Sequence, residues 1–294
     1  MKIKRSLGEK IFTVFNVFIL SLLTLATLYP FMYVVFASLS DPTKLATHVG
    51  VLLKPAGFSL KAYKSVIEYE RIISGYRNTI FYVVTGTALN IFMTSLGAYV
   101  LSRKDFILKK IMMKMIVISM LFHGGLIPTY LLVRSLGLLD SVWAIIIPSA
   151  IGTWNLIIMR TSFSSIPDSL TESAAIDGAN DFTIMFRIVL PLSMSVIAVM
   201  ILYYGVGHWN SWFSAMIYLL RARHLHPLQL VLREIILSNS TTDLMLSEFD
   251  VERQDISETI KYAAIMVAIL PIIAVYPFLQ KYFVKGVMIG ALKG

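Results

Sequence analysis

Six stretches of this chain carry no aspartate, glutamate, lysine or arginine: residues 11–37, 78–101, 115–133, 142–159, 188–207 and 262–279. A helix of about 20 apolar residues crosses the roughly 30 Å hydrocarbon core of a bilayer. No water is available there, so each backbone N–H and C=O must be satisfied within its own segment, which makes such spans helical. The expectation is an all-α membrane protein of about six transmembrane helices, forming one domain over residues 1–294. Charged residues make up 15% of the chain, against about 25% in soluble domains. The first run is too long for a signal-peptide core of about 7–15 residues, so it reads as a retained first helix.

Six spans put both termini on one side. The segments on that side hold Lys2, Lys4, Arg5, Lys10, Arg103, Lys104, Lys109, Lys110, Lys114, Arg160, Arg187, Lys281, Lys285 and Lys293, which are 14 of the 26 basic residues. Lysine and arginine collect in short cytoplasmic loops, so both termini are expected inside. The net charge of +9 then needs no nucleic-acid partner. Two long segments, 39–77 and 208–261, fall outside. The second opens with an amphipathic stretch, 227–237, started by Pro227. It continues through an acidic run, Asp243, Glu248, Asp250, Glu252, Asp255 and Glu258.

Several chemistries are excluded. The chain has no cysteine, hence no disulfide, cysteine-zinc cluster or thiol nucleophile. It contains no G-K dipeptide, so no phosphate loop exists. Of the five histidines, His48, His123, His208, His224 and His226, none forms an H-E-x-x-H pair, and no G-x-S-x-G occurs. His224 and His226 beside Pro227 are a weak metal pair. No catalytic, cofactor or metal site is expected. Ion-coupled carriers need charge within the membrane, and His123 is the one ionisable group inside a span. Gly124, Gly125 and Pro128 in the third span and Pro271 and Pro277 in the sixth mark kinks, either packed or lining a pathway.

The segment 165–191 differs from the other connections. Pro167 and Asp168 suit a first helical turn. Leu170, Ala174 and Ala175 share a side, with Ser173, Ala174 and Ala175 making a small exposed surface. Gly178 suits a helix stop. Asp181 can cap a second short helix carrying Phe182 and Phe186, and Pro191 marks entry into the fifth span. The residues alone fit either a plain loop or a docking element that another protein approaches closely.

The same segment resembles the EAA loop of binding-protein-dependent ABC importer permeases, E-A-A, three residues, G, nine residues, I-x-L-P. Glu172, Ala174, Gly178, Ile188, Leu190 and Pro191 fall at that spacing, with Ser173 replacing alanine. Asp177-Gly178-Ala179 is similar to the maltose-importer MalG type. The tail 280–294 resembles the short cytoplasmic tail of carbohydrate permeases, and the runs 124–130 and 155–160 resemble the YtcP and LplB branch, associated with import of complex sugars and oligosaccharides. The resemblance covers nearly the whole chain. It implies the type I ABC importer permease fold in a bacterial cytoplasmic membrane, with 165–191 as the cytoplasmic coupling-helix loop. It implies Glu172, Ser173, Ala174, Ala175, Asp177, Gly178, Phe182 and Pro191 as ATPase-docking residues. The implied partners are a distinct second permease subunit, an ATPase dimer holding ATP and magnesium, and an external binding protein that delivers sugar or oligosaccharide. A non-carbohydrate solute and an ion-coupled secondary transporter are the alternatives.

Sugar sites favour aromatic faces and amides. Trp154, Asn155, Tyr203, Tyr204, Trp209, Asn210 and Trp212 are the candidates for a solute pathway. Tryptophan and tyrosine also gather at membrane interfaces without any ligand, and Asn155 can instead bond a neighbouring helix.

Overall fold

The computed structural model describes residues 6–122, 124–245, 259–275 and 277, with side chains for all of these except 238–245. Among them there are helices and no β-strand; one isolated bridge joins Ser40 and Phe58. In chain order the helices are α1 (Leu7–Ser38), α2 (Pro42–Ala46), α3 (Lys61–Glu68), α4 (Glu70–Ser102), α5 (Lys109–Leu121), α6 (Leu126–Ser135), α7 (Trp143–Ser149), α8 (Thr153–Phe163), α9 (Asp168–Ile176), α10 (Asp181–Leu192), α11 (Met194–Trp209), α12 (Phe213–Tyr218), α13 (Leu228–Met245) and α14 (Thr259–Val275). His123, most of the acidic run from Glu248 to Glu258, and the tail 280–294 lie outside the described residues.

The chain divides into two compact units. One comprises residues up to 69 together with 234–270. Its α1 opens with a capping box, in which Ser6 Oγ accepts the Glu9 N–H at 3.2 Å and Glu9 accepts the Ser6 N–H at 2.9 Å. The apolar body of α1 is exposed along its length. Such a surface is stable against lipid or another protein, not against water. At its far end Ala37 packs with Leu45 and Leu52, and Tyr33 meets Tyr262 edge-on at 5.7 Å.

The other unit, 70–233 and 271 onward, holds the loop and the candidate pathway. Its backbone is α4, 33 residues long, about 50 Å at 1.5 Å per residue. It starts at Glu70, eight residues before the expected span, and is longer than the roughly 30 Å core of a bilayer is thick. Small residues on one face let α8 approach: a Cβ on Gly97 would lie 3.1 Å from Leu156, and Ser95 Oγ donates to Met159 Sδ at 3.4 Å. Close packing of this kind replaces the hydrophobic effect as the glue between helices in lipid. Ala98, Met159, Met185 and Met200 close the core.

At the other end of α4, Asn78 Nδ2 donates to the carbonyls of His224 (2.7 Å) and His226 (3.0 Å), and Tyr82 Oη donates to Leu225 O at 2.9 Å. Thr79 Oγ1 accepts the Leu228 N–H at 2.8 Å, satisfying an orphan donor at the start of α13. Gly75 is required here, since a Cβ would come within 3.1 Å of the Leu228 Cα. Pro227 stands just before α13, as its suitability for a first turn implies.

The described residues of the six apolar runs are largely helical, but not all in straight helices. α1 and α4 are each long and apolar enough to cross a membrane. α7 and α8 form a pair bent by 49° and α10 and α11 one bent by 86°; α5 and α6 are separate helices, and α14 is a shorter apolar helix. Each break has a local cause. Gly125, just before α6, has φ +87, and Pro148 with Gly152 interrupts α7–α8. Pro191 lies inside α10 and not at the entry to a straight fifth span. It removes the donor for the Arg187 carbonyl, and the chain turns at Ser193.

Candidate docking loop and solute groove

α9 ends as a complete Schellman motif. Gly178 has φ +83, its N–H donates to Ala175 O at 3.0 Å, and the Ala179 N–H donates to Ala174 O at 2.9 Å. α9 starts one residue later than the proline suggests, with Pro167 as N-cap and Asp168 in the first turn. The second short helix is capped by Asn180, not Asp181: Asn180 Oδ1 accepts the Thr183 N–H at 2.8 Å. Asp181 is free of that duty because its Oδ1 accepts from Tyr99 Oη at 2.8 Å.

The exposed side of α9 carries Glu172, Ser173, Ala175, Asp177 and Gly178. Ala174 is turned inward, half-buried on the main core, so it does not belong to the exposed surface. Two large apolar side chains stand out beside the small ones, Ile176 at 87% and Phe182 at 64% exposure. Sequence reasoning missed Ile176. Its position directly before the helix stop was the available signal.

The loop is fastened to the end of α4. Lys104 Nζ pairs with Asp168, whose hydrogen bond and charge push the lysine above its ordinary pKa. The carbonyls that end α4 are also satisfied by cations: Lys109 Nζ donates to Ser102 O (3.1 Å) and Arg103 O (3.0 Å), and Arg160 Nε donates to Leu101 O (3.2 Å). Cations are favoured at helix C-termini. Partial desolvation, then the charges of Arg160 and Lys104, push Lys109 down.

Toward the other end of the unit lies an open groove of about 430 Å³. It brings together Tyr203, Tyr204, Asn210 and Trp212 of the candidates, adding Ser149, His208, Ser211 and Ser214. Trp154, Asn155 and Trp209 do not line it. Trp154 is exposed, Asn155 is half-buried, and Trp209 meets Tyr76 edge-on at 6.3 Å.

The groove floor is a bonded network. Tyr204 Oη contacts Thr94 Oγ1 at 2.8 Å and accepts the Gly152 N–H at 3.0 Å. Asn90 Nδ2 donates to Ser149 O at 2.5 Å, which leaves Asn90 Oδ1 facing His208 Nε2 at 2.7 Å. An amide oxygen only accepts, so Nε2 carries the proton. His208 is 6% exposed and packs on Gly86, at the end of the π-turn Tyr82–Gly86. π-turns inside α-helices are frequent at functional positions. At the rim the Arg233 guanidinium lies 3.9 Å over the Trp212 ring. The part of this unit made of 70–77, 134–140 and 208–233 carries six cations, Arg71, Arg77, Arg134, Arg221, Arg223 and Arg233, all arginine, none of them lining the groove itself. Of its two carboxylates, Glu70 and Asp140, the second is occupied by the Arg221 and Ala222 N–H groups. His226 has both ring nitrogens engaged, with Arg71 at 3.2 Å and Leu219 O at 3.1 Å.

Residues 4–289 match the family model described as the binding-protein-dependent transport system inner membrane component. The chain belongs to that family. The permease is 43% identical over 275 residues to the polygalacturonan/rhamnogalacturonan transport system permease protein YtcP of Bacillus subtilis, covering 94% of this chain and 96% of that one. It is 40% identical over 287 residues to the protein LplC of the same organism, covering 97% and 96%. Its fold matches a chain in the crystal structure of a bacterial ABC transporter involved in the import of the acidic polysaccharide alginate, with a TM-score of 0.85, 33% identity, and coverage of 96% of the permease and all of that chain. The fold class expected from the sequence is therefore the right one: a helical ABC importer permease.

Proposed function

We propose that this permease forms half of a solute pathway, with a second permease subunit, and that α9 docks on a separate ATPase. In this reading the six expected spans cross the membrane, both termini and the loop 165–191 are cytoplasmic, and an external binding protein delivers an oligosaccharide to the groove. The observation that carries it is the rigid helix stop at Gly178, which presents Glu172, Ser173, Ala175 and Ile176 on a surface made of small and apolar groups. Ser173 keeps that surface small where the family pattern has alanine. ATP and magnesium belong to the partner, since the chain has no phosphate loop. The chain itself then does no covalent chemistry.

An oligosaccharide bearing carboxylates is the best-supported solute. The names of YtcP and of the alginate transporter both refer to acidic polymers. Independently, the segments 70–77, 134–140 and 208–233 carry six arginines and no lysine, and Arg233 stacks on Trp212 of the groove, against the tendency of external segments to be poor in cations. Arginine presents a planar fork that matches a carboxylate in two bonds. Trp212 supplies an aromatic face beside it.

Uptake by proteoliposomes holding the full importer tests this. Unlabelled oligogalacturonide is expected to compete with labelled oligogalacturonide at least about tenfold better than a neutral oligosaccharide of equal length, corresponding to about 1.4 kcal/mol. Equal competition contradicts the anionic assignment. Trp212→Ala is expected to raise the KM for uptake several-fold through loss of the platform under Arg233, with ATPase co-purification unchanged. An unaltered KM removes Trp212 from the pathway.

A further inference from the structure

We propose that α4 is the connecting rod of this permease, joining the docking loop to the solute groove as one rigid body, with Tyr99 and Lys104 as the positioning residues that lock the loop onto it. The proposal rests on the docking role of α9 stated above and adds the route by which that docking reaches the solute.

The geometry has three parts. First, each short helix of the loop has its own polar tie to the last turns of α4. Tyr99 Oη donates to Asp181 Oδ1 on α10 at 2.8 Å, and Lys104 pairs with Asp168 on α9. Two ties on two helices fix an orientation, where one would leave a pivot. Second, these ties sit on packed surface. Tyr99 is 6% exposed, and with Ala98 and Leu101 it belongs to the core that holds Ile184, Met185 and Val189 of α10, against which Ala174 of α9 rests. Third, the same helix reaches the groove: Thr94 bonds Tyr204 and Asn90 bonds His208. Both Tyr204 and His208 line the groove.

The direct chain connections are poorer levers. Going from the loop to the groove along the chain, α10 joins α11 through a bend of 86°. Going the other way, α8 joins α7 through a bend of 49°. A bend with its hydrogen-bond ladder interrupted absorbs displacement. α4 is one unbroken helix whose irregularity, the π-turn at Tyr82–Gly86, lies beyond the Asn90 and Thr94 contacts. Coupling between distant sites needs such a contiguous rigid element with two placements. Docking that moved α9 alone would transmit nothing, because a ligand shifts an equilibrium only through its differential interaction with the two states.

The chain has no cysteine, so paired spin labels go where they are placed. Ser169→Cys on α9 and Ala88→Cys on α4, an exposed position between the π-turn and Asn90, report rigid-body motion in the assembled importer. The distance between them is expected to be unchanged between the nucleotide-free and ATP-bound importer, and to broaden in Tyr99→Phe/Lys104→Ala. In that double variant ATPase co-purification and thermal midpoint are expected to stay near wild type, while solute moved per ATP hydrolysed falls at least about fivefold. Lys104→Asp is expected to lower that ratio, and Lys104→Asp/Asp168→Lys to restore it. A label distance that changes with nucleotide, or a double variant with wild-type coupling, overturns the connecting-rod proposal while leaving docking intact. Failure of the docking reading itself would instead show as ATPase co-purification retained in Gly178→Pro.

Discussion

Gly178→Pro is expected to abolish co-purification of the ATPase and, with it, transport. Proline fixes φ near −65°, whereas Gly178 sits at +83°. The substitution also deletes the N–H that donates to Ala175 O at 3.0 Å. Both bonds of the helix stop depend on that geometry, so α9 can no longer end where it does. Costs of about 3 kcal/mol or more are usual for such a mismatch, which is over 100-fold in an equilibrium constant. Two milder variants give the scale. A Cβ at this position meets nothing within 4 Å, so Gly178→Ala carries only the strain of a left-handed residue, about 1–2 kcal/mol. Asparagine is the next-best residue for such a stop. The expected order of ATPase retention is glycine, asparagine, alanine, proline. Retention by the proline variant contradicts docking through α9.

Gly86→Ala is expected to damage the groove floor from behind. The new Cβ would sit 2.6 Å from Cε1 and 2.9 Å from Cδ2 of His208. That ring cannot swing away cheaply: it is 6% exposed and held to Asn90 at 2.7 Å. Overpacking costs about 1–3 kcal/mol, and an Asn90 carbonyl stripped of its donor adds about 1–3 kcal/mol. Intrinsic tryptophan fluorescence should show a thermal midpoint lowered by roughly 5 °C or more. His208→Ala combined with Gly86→Ala should then cost clearly less than the two separate losses added together, because the clash needs the His208 ring and disappears with it, and the lost Asn90 bond is counted in both single variants. Strict additivity contradicts the packing described.

What the sequence made legible follows from locality. Gly178 was readable as a stop because a left-handed position and glycine are linked by sterics at one residue. The division between Asn180 and Asp181 was not, because both are good caps and the decision lies with Tyr99, 82 residues away. Ala174 was placed on the exposed side by helical spacing, yet spacing only groups residues by face; the core formed by α4 decides which face is covered. The runs 142–159 and 188–207 carry no sign of the bends at Pro148–Gly152 and Ser193, since apolar runs look alike whether or not they turn. Asn90 and His208 were missed as a pair because a lone amide and a lone histidine, 118 positions apart, carry no joint pattern. The usable hint was Gly86 four residues before Asn90, a place where another side chain comes close.

The groove was half visible for the same reason. Aromatic and amide residues near the end of α11 pointed to Tyr203, Tyr204, Asn210 and Trp212. Trp154, Asn155 and Trp209 share that composition but do not line the groove: Trp209 packs on Tyr76, and the Asn155 amide lies behind Gly152. Composition identifies a chemistry, whereas only the bend between α7 and α8 decides that Gly152, not Trp154, approaches Tyr204.

The central claim is that an external motor drives this chain through the loop at 165–191. The most direct measurement is uptake of labelled oligosaccharide into proteoliposomes containing the permease, its second subunit and the binding protein, with and without the ATPase. The account predicts uptake only with ATPase and ATP, and none with Gly178→Pro. Uptake driven by an imposed proton or sodium gradient, with no nucleotide-hydrolysing partner present, would contradict it.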